Sequence, residues 1–344
     1  MHPSFEATVP GCRPPRGAEE ERLPPLRRIS SPPAPAAGPV CLQARATILI
    51  LALGTLLAGC ASTPAGPAVG GTQPAPISYR EVAERFDRNI AGLDQIWSRC
   101  VAVADWTQEG KARSEQGEGN LLAILPDRLA LSIGKLGQTI IWAGCNQEHY
   151  WLFDLKDDGG VVYFGRQGKT AKPGAQPLPV GISPRDVIKL LGVMPIDPNQ
   201  PPAKQPEVEW VDGGWLIQPP GNGLSPTSPA AGPGSEGPGG IKLLIDPVTF
   251  LPRQVHLCDA TGKTILLARL SNFKRVRVAG KPPGAWPWMA SRYRIQDLVK
   301  HSRLTLDLND LSDGRPDRMH TRAFKLGVLI KALHPARVVD LDNP

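Results

Sequence analysis

From Trp97 onward the apolar residues of this chain recur at every second position, and that period confines most of it to β-strands. Successive side chains of a strand point to opposite faces, so alternation marks a sheet with one buried side. Trp97-Ser-Arg-Cys-Val-Ala-Val-Ala-Asp-Trp106 reads as the first strand, turned by Glu109-Gly110, and residues 119–125 as the next. After Pro126-Asp127, Leu129, Leu131 and Ile133 alternate with Ala130 and Ser132. Residues 138–143 and 149–155 follow, and Asp157-Asp158-Gly159-Gly160 predicts a hairpin turn into residues 161–164. Strands resume at 208–211 and 214–218 around Asp212-Gly213, then at 241–245, 253–258, 264–271 and 303–308.

Two segments break the pattern with helical spacing. Ser78-Tyr79-Arg80-Glu81 has capping-box spacing, Val82, Ala83, Phe86 and Ile90 repeat along one helix face, and Gly92 stops it. Ser183 before Pro184 and Asp186 opens a second helix, with Val187, Ile188, Leu190 and Leu191 apolar and Gly192 as its stop. Eight to eleven antiparallel strands with two helices exclude alternating βαβ architectures. A meander that long must curl. The expectation is a mainly β fold with a few α-helices: a curled antiparallel sheet, or half-barrel, closed by short helices over residues 78–310. Residues 219–240 form a Pro/Gly-rich flexible insertion within it, and residues 311–344 a C-terminal extension.

The N-terminus carries a different signal. Residues 1–40 have no apolar period, but Arg45 precedes thirteen mostly apolar residues, Ala46 to Ala58, ending in Gly59-Cys60. Thirteen helical residues reach roughly 20 Å, short of the ~30 Å hydrocarbon core, so the segment reads as a secretory signal rather than a membrane span. Leu57-Ala58-Gly59-Cys60 looks like a bacterial lipobox, which implies cleavage between Gly59 and Cys60 and diacylation of the Cys60 thiol. Residues 1–59 are then leader and signal peptide, and residues 60–77 the lipidated cysteine with a flexible Pro/Gly/Ala tether. The tether's seventeen residues after Cys60 span at most roughly 55–60 Å. The following residue is Ala61 rather than the Asp that tends to hold such proteins at the inner membrane. By that resemblance the chain is expected in the cell envelope, anchored to the outer membrane and facing the periplasm.

Composition removes other classes. The 38 Pro and 36 Gly among 344 residues are concentrated in the leader, tether and loops, while a 41% hydrophobic content excludes a wholly disordered chain. The formal charge is +7, but six Arg and four acids precede Cys60, leaving a mild surplus spread over the remainder. That does not suggest a nucleic-acid binder.

The order of helix, long meander, inserted helix and renewed meander resembles the periplasmic lipoprotein carriers LolA and LolB and their envelope relatives. The phrases that carry the resemblance are Pro126-Asp-Arg-Leu-Ala-Leu131, Trp215-Leu-Ile-Gln-Pro219 and Ile241-Lys-Leu-Leu-Ile-Asp246. It implies an acyl-binding cavity between a concave sheet and the helices, with an acylated ligand or lipoprotein as cargo and lipid handling or lipoprotein sorting as function. The lipobox favours the LolB-like side, which also presents a protruding loop with an exposed leucine. Candidate cavity residues are Leu129, Leu131, Ile133, Trp142, Trp151, Phe153, Leu155 and Trp215, with the Trp286-Pro-Trp288 pair beside them. Period-two alternation predicts that the 129/131/133 and 151/153/155 sets both face the sheet's apolar side. The alternative is a half-barrel filled by its own side chains, a tethered structural or protein-interaction module.

Catalytic signatures are absent: there is no HExxH, GxSxG, Walker loop or CxxC. Cys145 and His149 are expected to straddle a turn, and Asp157-Asp158 and Asp307/Asp310 to serve turns. The expectation is a non-enzymatic monomer without metal, cofactor or nucleic acid, its partners being the membrane lipid at Cys60 and the apolar cargo. Cys100, Cys145 and Cys258 are compatible either with one disulfide and one buried thiol or with three buried thiols.

Overall fold

The computed structural model describes residues 75–156, 159–168, 181–201, 204–218, 240–314 and 321–343. Gly59, Cys60, the leader and most of the tether lie outside these residues, as do Asp157, Asp158 and all but Gly240 of the insertion.

The first helix, α1 (Tyr79–Ile90), begins where its capping box predicts: the Ser78 hydroxyl accepts from the Glu81 amide at 3.2 Å. Six strands then meander: β1 (Gln95–Gln108), β2 (Lys111–Ile124), β3 (Arg128–Lys135), β4 (Gln138–Cys145), β5 (His149–Asp154) and β6 (Val161–Arg166). The second helix, α2 (Pro184–Leu190), is capped by Ser183, whose hydroxyl accepts from the Asp186 amide at 3.2 Å and donates to its carboxylate at 2.7 Å. Seven more strands follow: β7 (Glu207–Val211), β8 (Gly214–Gln218), β9 (Gly240–Ile245), β10 (Pro252–Cys258), β11 (Thr264–Arg275), β12 (Trp288–Asp297) and β13 (Ser302–Ser312). A 3-10 turn (Thr321–Phe324), helix α3 (Leu326–Leu333) and β14 (Arg337–Asp340) complete the chain.

All fourteen strands form one open sheet, ordered β14-β6-β5-β4-β3-β2-β1-β13-β12-β11-β10-β9-β8-β7. The chain walks outward from β1 to β6, crosses by α2 to the far edge, and walks back until β13 pairs with β1. Three elements exceed the sequence expectation. Strand β12 is a full ten-residue strand, and β2 begins at Lys111 rather than near 119 because its polar first half pairs with β1 from Gln108↔Lys111 onward. Residues 321–343 are not a mere extension: β14 joins β6 as a parallel neighbour, whereas the other pairings between the described strands are antiparallel.

The sheet curls. In a flat sheet six spacings of about 4.8 Å would separate β3 from β10 by roughly 29 Å. Yet the seven residues of α2 touch β3, β4, β5 and β10. Helices α1 and α2 both lie on this inner face, where one continuous core joins Phe86, Val187, Ile188 and Leu190 to alternate residues of the strands. The expected fold, a curled and mainly antiparallel sheet carrying short helices, is the fold observed. Among the described residues no helix is long and apolar enough to cross a membrane.

Candidate functional site

Register decides where the predicted cavity residues go. Leu129, Leu131 and Ile133 face inward with Cys145 and Ala143, and Trp215 joins them in the inner core, edge-on to Trp210 at 4.9 Å. Trp142 pairs with Ser132 and Phe153, and Trp151 with Gly144 and Phe164, which places all of them on the opposite, outer face. There Trp151, Phe153 and Val162 pack under Leu329 of α3, with Trp142 and Leu155 beside them. The expectation that both sets share one face is therefore corrected. Strands β4 and β5 are apolar on both sides because α2 covers one and α3 the other, so alternation alone gives no direction. Gly144 shows how tight the outer packing is, since a Cβ there would stand 2.8 Å from the Trp151 indole.

The inner set does not line an open space between sheet and helices. Leu129 is 0% exposed, Phe86 0% and Ile188 1%, all in the same cluster. Cys100, Cys145 and Cys258, the cysteines among the described residues, are buried free thiols, and burial pushes those of Cys100 and Cys145 up to about 12. Cys145 donates to the Asp127 carbonyl from the inner face, whereas His149 shares the outer face with Phe164. The two form no thiol–imidazole pair. Asp307 is held by Arg292 and Asp310 lies near Arg99. Among the described residues no group of three or more His, Cys, Asp or Glu side chains is placed to hold a metal.

Open space occurs instead at one end of the sheet. A groove of about 510 Å³ is lined by Asp246 and Thr249 from the β9–β10 turn, Leu251 and Arg253 leading into and along β10, Phe273 of β11 and Trp288 of β12. Helix α1 fixes its turn: the Asn89 amide donates to the Thr249 and Phe250 carbonyls at 2.8 and 3.2 Å, and the Arg85 guanidinium lies over the Phe250 ring at 4.7 Å. The Asp246 carboxylate accepts from the Val248 and Thr249 amides and the Thr249 hydroxyl at 2.8–3.1 Å. Partial burial pushes this carboxyl up, but those bonds and the charge of Arg253 outweigh it, so Asp246 titrates below its ordinary range.

Arg253 occupies a bulge between Pro252 and Gln254 and reaches the Asp212 and Gly213 carbonyls through one nitrogen, at 3.5 and 3.3 Å. Its remaining donors have no protein partner among the described residues and stand beside the apolar Leu251, Phe273 and Trp288. The Arg275 guanidinium lies over the Trp288 ring, 4.5 Å from its centroid, and donates to the Gly284 carbonyl at 3.0 Å. A groove of this volume, with aromatic walls and an Arg253 whose remaining donors lack a protein partner among the described residues, suits an apolar body with an anionic end. Of its residues only Trp288 is expected from the sequence beside the cavity, as part of the Trp286-Pro-Trp288 pair. Asp246 lies in the β9–β10 turn, Arg253 on β10 and Phe273 on β11, and only the register of β9 to β12 brings them together.

No protein-family model matches the chain, and no curated protein matches it. Solved structures are similar in form. One is a LolA superfamily protein from Nitrosomonas europaea, 12% identical over 70% of this chain and 96% of that one, with a TM-score of 0.42. Another is a DUF1329 family protein from Desulfovibrio piger, 12% identical over 73% and 97%, with a TM-score of 0.44. A third, described as an outer membrane lipoprotein-sorting protein domain, comes from Vibrio parahaemolyticus, 13% identical over 74% and 97%, with a TM-score of 0.44. These likenesses are distant, and nothing about ligand or partner passes through them to this chain.

Proposed function

We propose that the chain is a lipid-anchored, non-enzymatic protein of the bacterial cell envelope that binds an amphiphilic ligand, an acyl body with an anionic head, in the groove between the β9–β10 turn and Trp288. The groove carries this reading: its volume falls within the ~300–1,000 Å³ of small-ligand sites, and its unpaired Arg253 donors adjoin Leu251 and Phe273. Anchoring rests on Leu57-Ala58-Gly59-Cys60, with Cys60 acylated as the first mature residue and Ala61 favouring the outer membrane. Leu136 supports membrane work by the carrier resemblance. It is fully exposed at the tip of the β3–β4 turn, where Leu136 and Gly137 both take positive φ, as a two-residue hairpin requires.

The test is binding of a fluorescent fatty acid to the processed chain. Trp288→Ala is expected to weaken capture at least tenfold, and Arg253→Gln to weaken it for the acid but not for the matching fatty alcohol. Absence of micromolar binding by the wild type overturns the ligand reading. A second reading, a tethered interaction module, is favoured by the closed inner core. It takes over in that case. Leu131→Glu is expected to unfold the protein in either case, because it forces a carboxylate into that core. Cys60→Ser should leave an unprocessed precursor without labelled palmitate, and labelling that persists removes the anchor.

A further inference from the structure

The outer face of β9 to β13 presents a cationic surface that the ligand groove does not use. Lys242 of β9, Arg269 of β11, Arg294 of β12 and Arg303 of β13 all point away from the inner core, since their chain neighbours Leu243, Ala268, Leu270, Tyr293 and Ile295 belong to it. Arg269 and Arg294 are direct cross-strand partners. Opposed like charges, with Cβ atoms some 4.5–5.5 Å apart, destabilise a sheet. None of the four cations has an ion pair or side-chain hydrogen bond among the described residues. Of the acids nearby, Asp307 takes both bonds of Arg292, at 2.6 and 3.0 Å, and Asp105, directly opposite Arg303 in the β1–β13 register, accepts from the Ser114 hydroxyl at 2.7 Å and forms no ion pair with Arg303. His256, on the same face, is held below its ordinary range by burial and then by the charges of Lys242 and Arg269.

The turn joining β12 to β13, the two strands that bear Arg294 and Arg303, exposes Leu298 at 42% and Val299 at 65%. Aliphatic side chains beside unpaired cations match an anionic bilayer surface, with headgroups for the guanidinium groups and the interface for the aliphatic tip. A soluble anion gives Leu298 and Val299 nothing to meet. We infer that this outer face, with the Leu298–Val299 turn at its end, docks on the anionic phospholipid headgroups of the membrane to which the chain is tethered. The inference rests on the anchor at Cys60. A compact domain of this size is about 45 Å across, so a tether reaching roughly 55–60 Å at full stretch lets any face turn to the bilayer. Each Lys or Arg near such a surface strengthens attachment roughly fivefold.

The experiment places the full lipidated chain in phosphatidylcholine vesicles with and without phosphatidylglycerol and reads phenylglyoxal modification of individual arginines by mass spectrometry. Modification of Arg269, Arg294 and Arg303 should fall at least fivefold in the anionic vesicles and recover at about 0.5 M salt, where screening reaches only a few Å. Arg80, on the solvent side of α1, should be unchanged. The triple variant Arg269→Glu, Arg294→Glu, Arg303→Glu replaces exposed side chains and should fold. Its Leu298–Val299 turn should lose the lipid-dependent protection from hydrogen exchange that the wild type shows. Equal modification in both vesicle types overturns the proposal. So does protection seen only in native envelopes, which would assign the face to an acidic protein. A chain that fails to float even with neutral vesicles shows instead that the anchor reading is wrong.

Discussion

The outer face of the sheet is two surfaces made from one architecture. Over β2 to β6 it carries Leu122, Ala130, Trp142, Trp151 and Phe153, roofed by Ala323, Phe324 and Leu329 from the C-terminal segment. Over β9 to β13 it carries Lys242, Arg269, Arg294 and Arg303 and has no roof among the described residues. Both halves rest on the same inner core, so the difference does not come from folding of the sheet itself. It comes from what each half meets outside: the covered half needs its own chain, and the bare half is left for something else.

The largest test of this contrast is Trp151→Ala. The indole is fully buried beneath α3, and its loss should cost about 3–5 kcal/mol in urea unfolding. A cost below about 1 kcal/mol would mean that the roof is loosely laid. Leu329→Asp should come next, at roughly 2–3 kcal/mol, by placing a charge where α3 meets Trp151 and Phe153. It should shift tryptophan fluorescence to the red while the transition stays cooperative. On the bare half effects should be small. Arg292→Ala, which breaks a half-exposed ion pair with Asp307, should lower the urea midpoint only slightly, and less at high salt, because solvent screens such a pair. Smallest, and opposite in sign, Arg269→Thr should raise stability by a few tenths of a kcal/mol, because it removes the charge facing Arg294. If that variant destabilises, the two guanidinium groups are not in conflict and the contrast weakens.

Much of the fold was written in local pattern. Ser78 and Ser183 announce both capped helices, and Glu109-Gly110 and Asp212-Gly213 mark hairpins whose residues do take positive φ. Three things were not. The first half of β2, Lys111 to Glu118, has no apolar period, and only its pairing with β1 makes it a strand. Strand β12 alternates Tyr293 and Ile295 with arginines, but its neighbours supply the reason for that pattern. The direction of Trp142, Trp151 and Phe153 depends on α3, which lies far along the chain and has no capping signal, Lys325 making no side-chain cap. The site was less legible than the fold. Alternation assigned Leu129 and Leu131 correctly to an apolar face, but a groove at the end of a sheet is assembled from turns and strand ends, where period carries no information.

The topology also fixes an order of events. Strand β1 pairs with β2 at once, but its other edge waits for β13, whose residues lie about 200 positions later, as in Val103↔Thr305. Closing that seam comes late, since long-range pairing carries the entropy of the whole intervening chain. Until it closes, the middle of the finished sheet is an exposed strand edge, with apolar Val101 and Val103 along it, able to pair with any extended chain nearby. For a protein synthesised from its N-terminus, the most central hydrogen bonds of the mature sheet are thus among the last to be made, with only the β14–β6 pairing drawn from residues further along the chain, and the interval before them is when the chain is most in need of shelter.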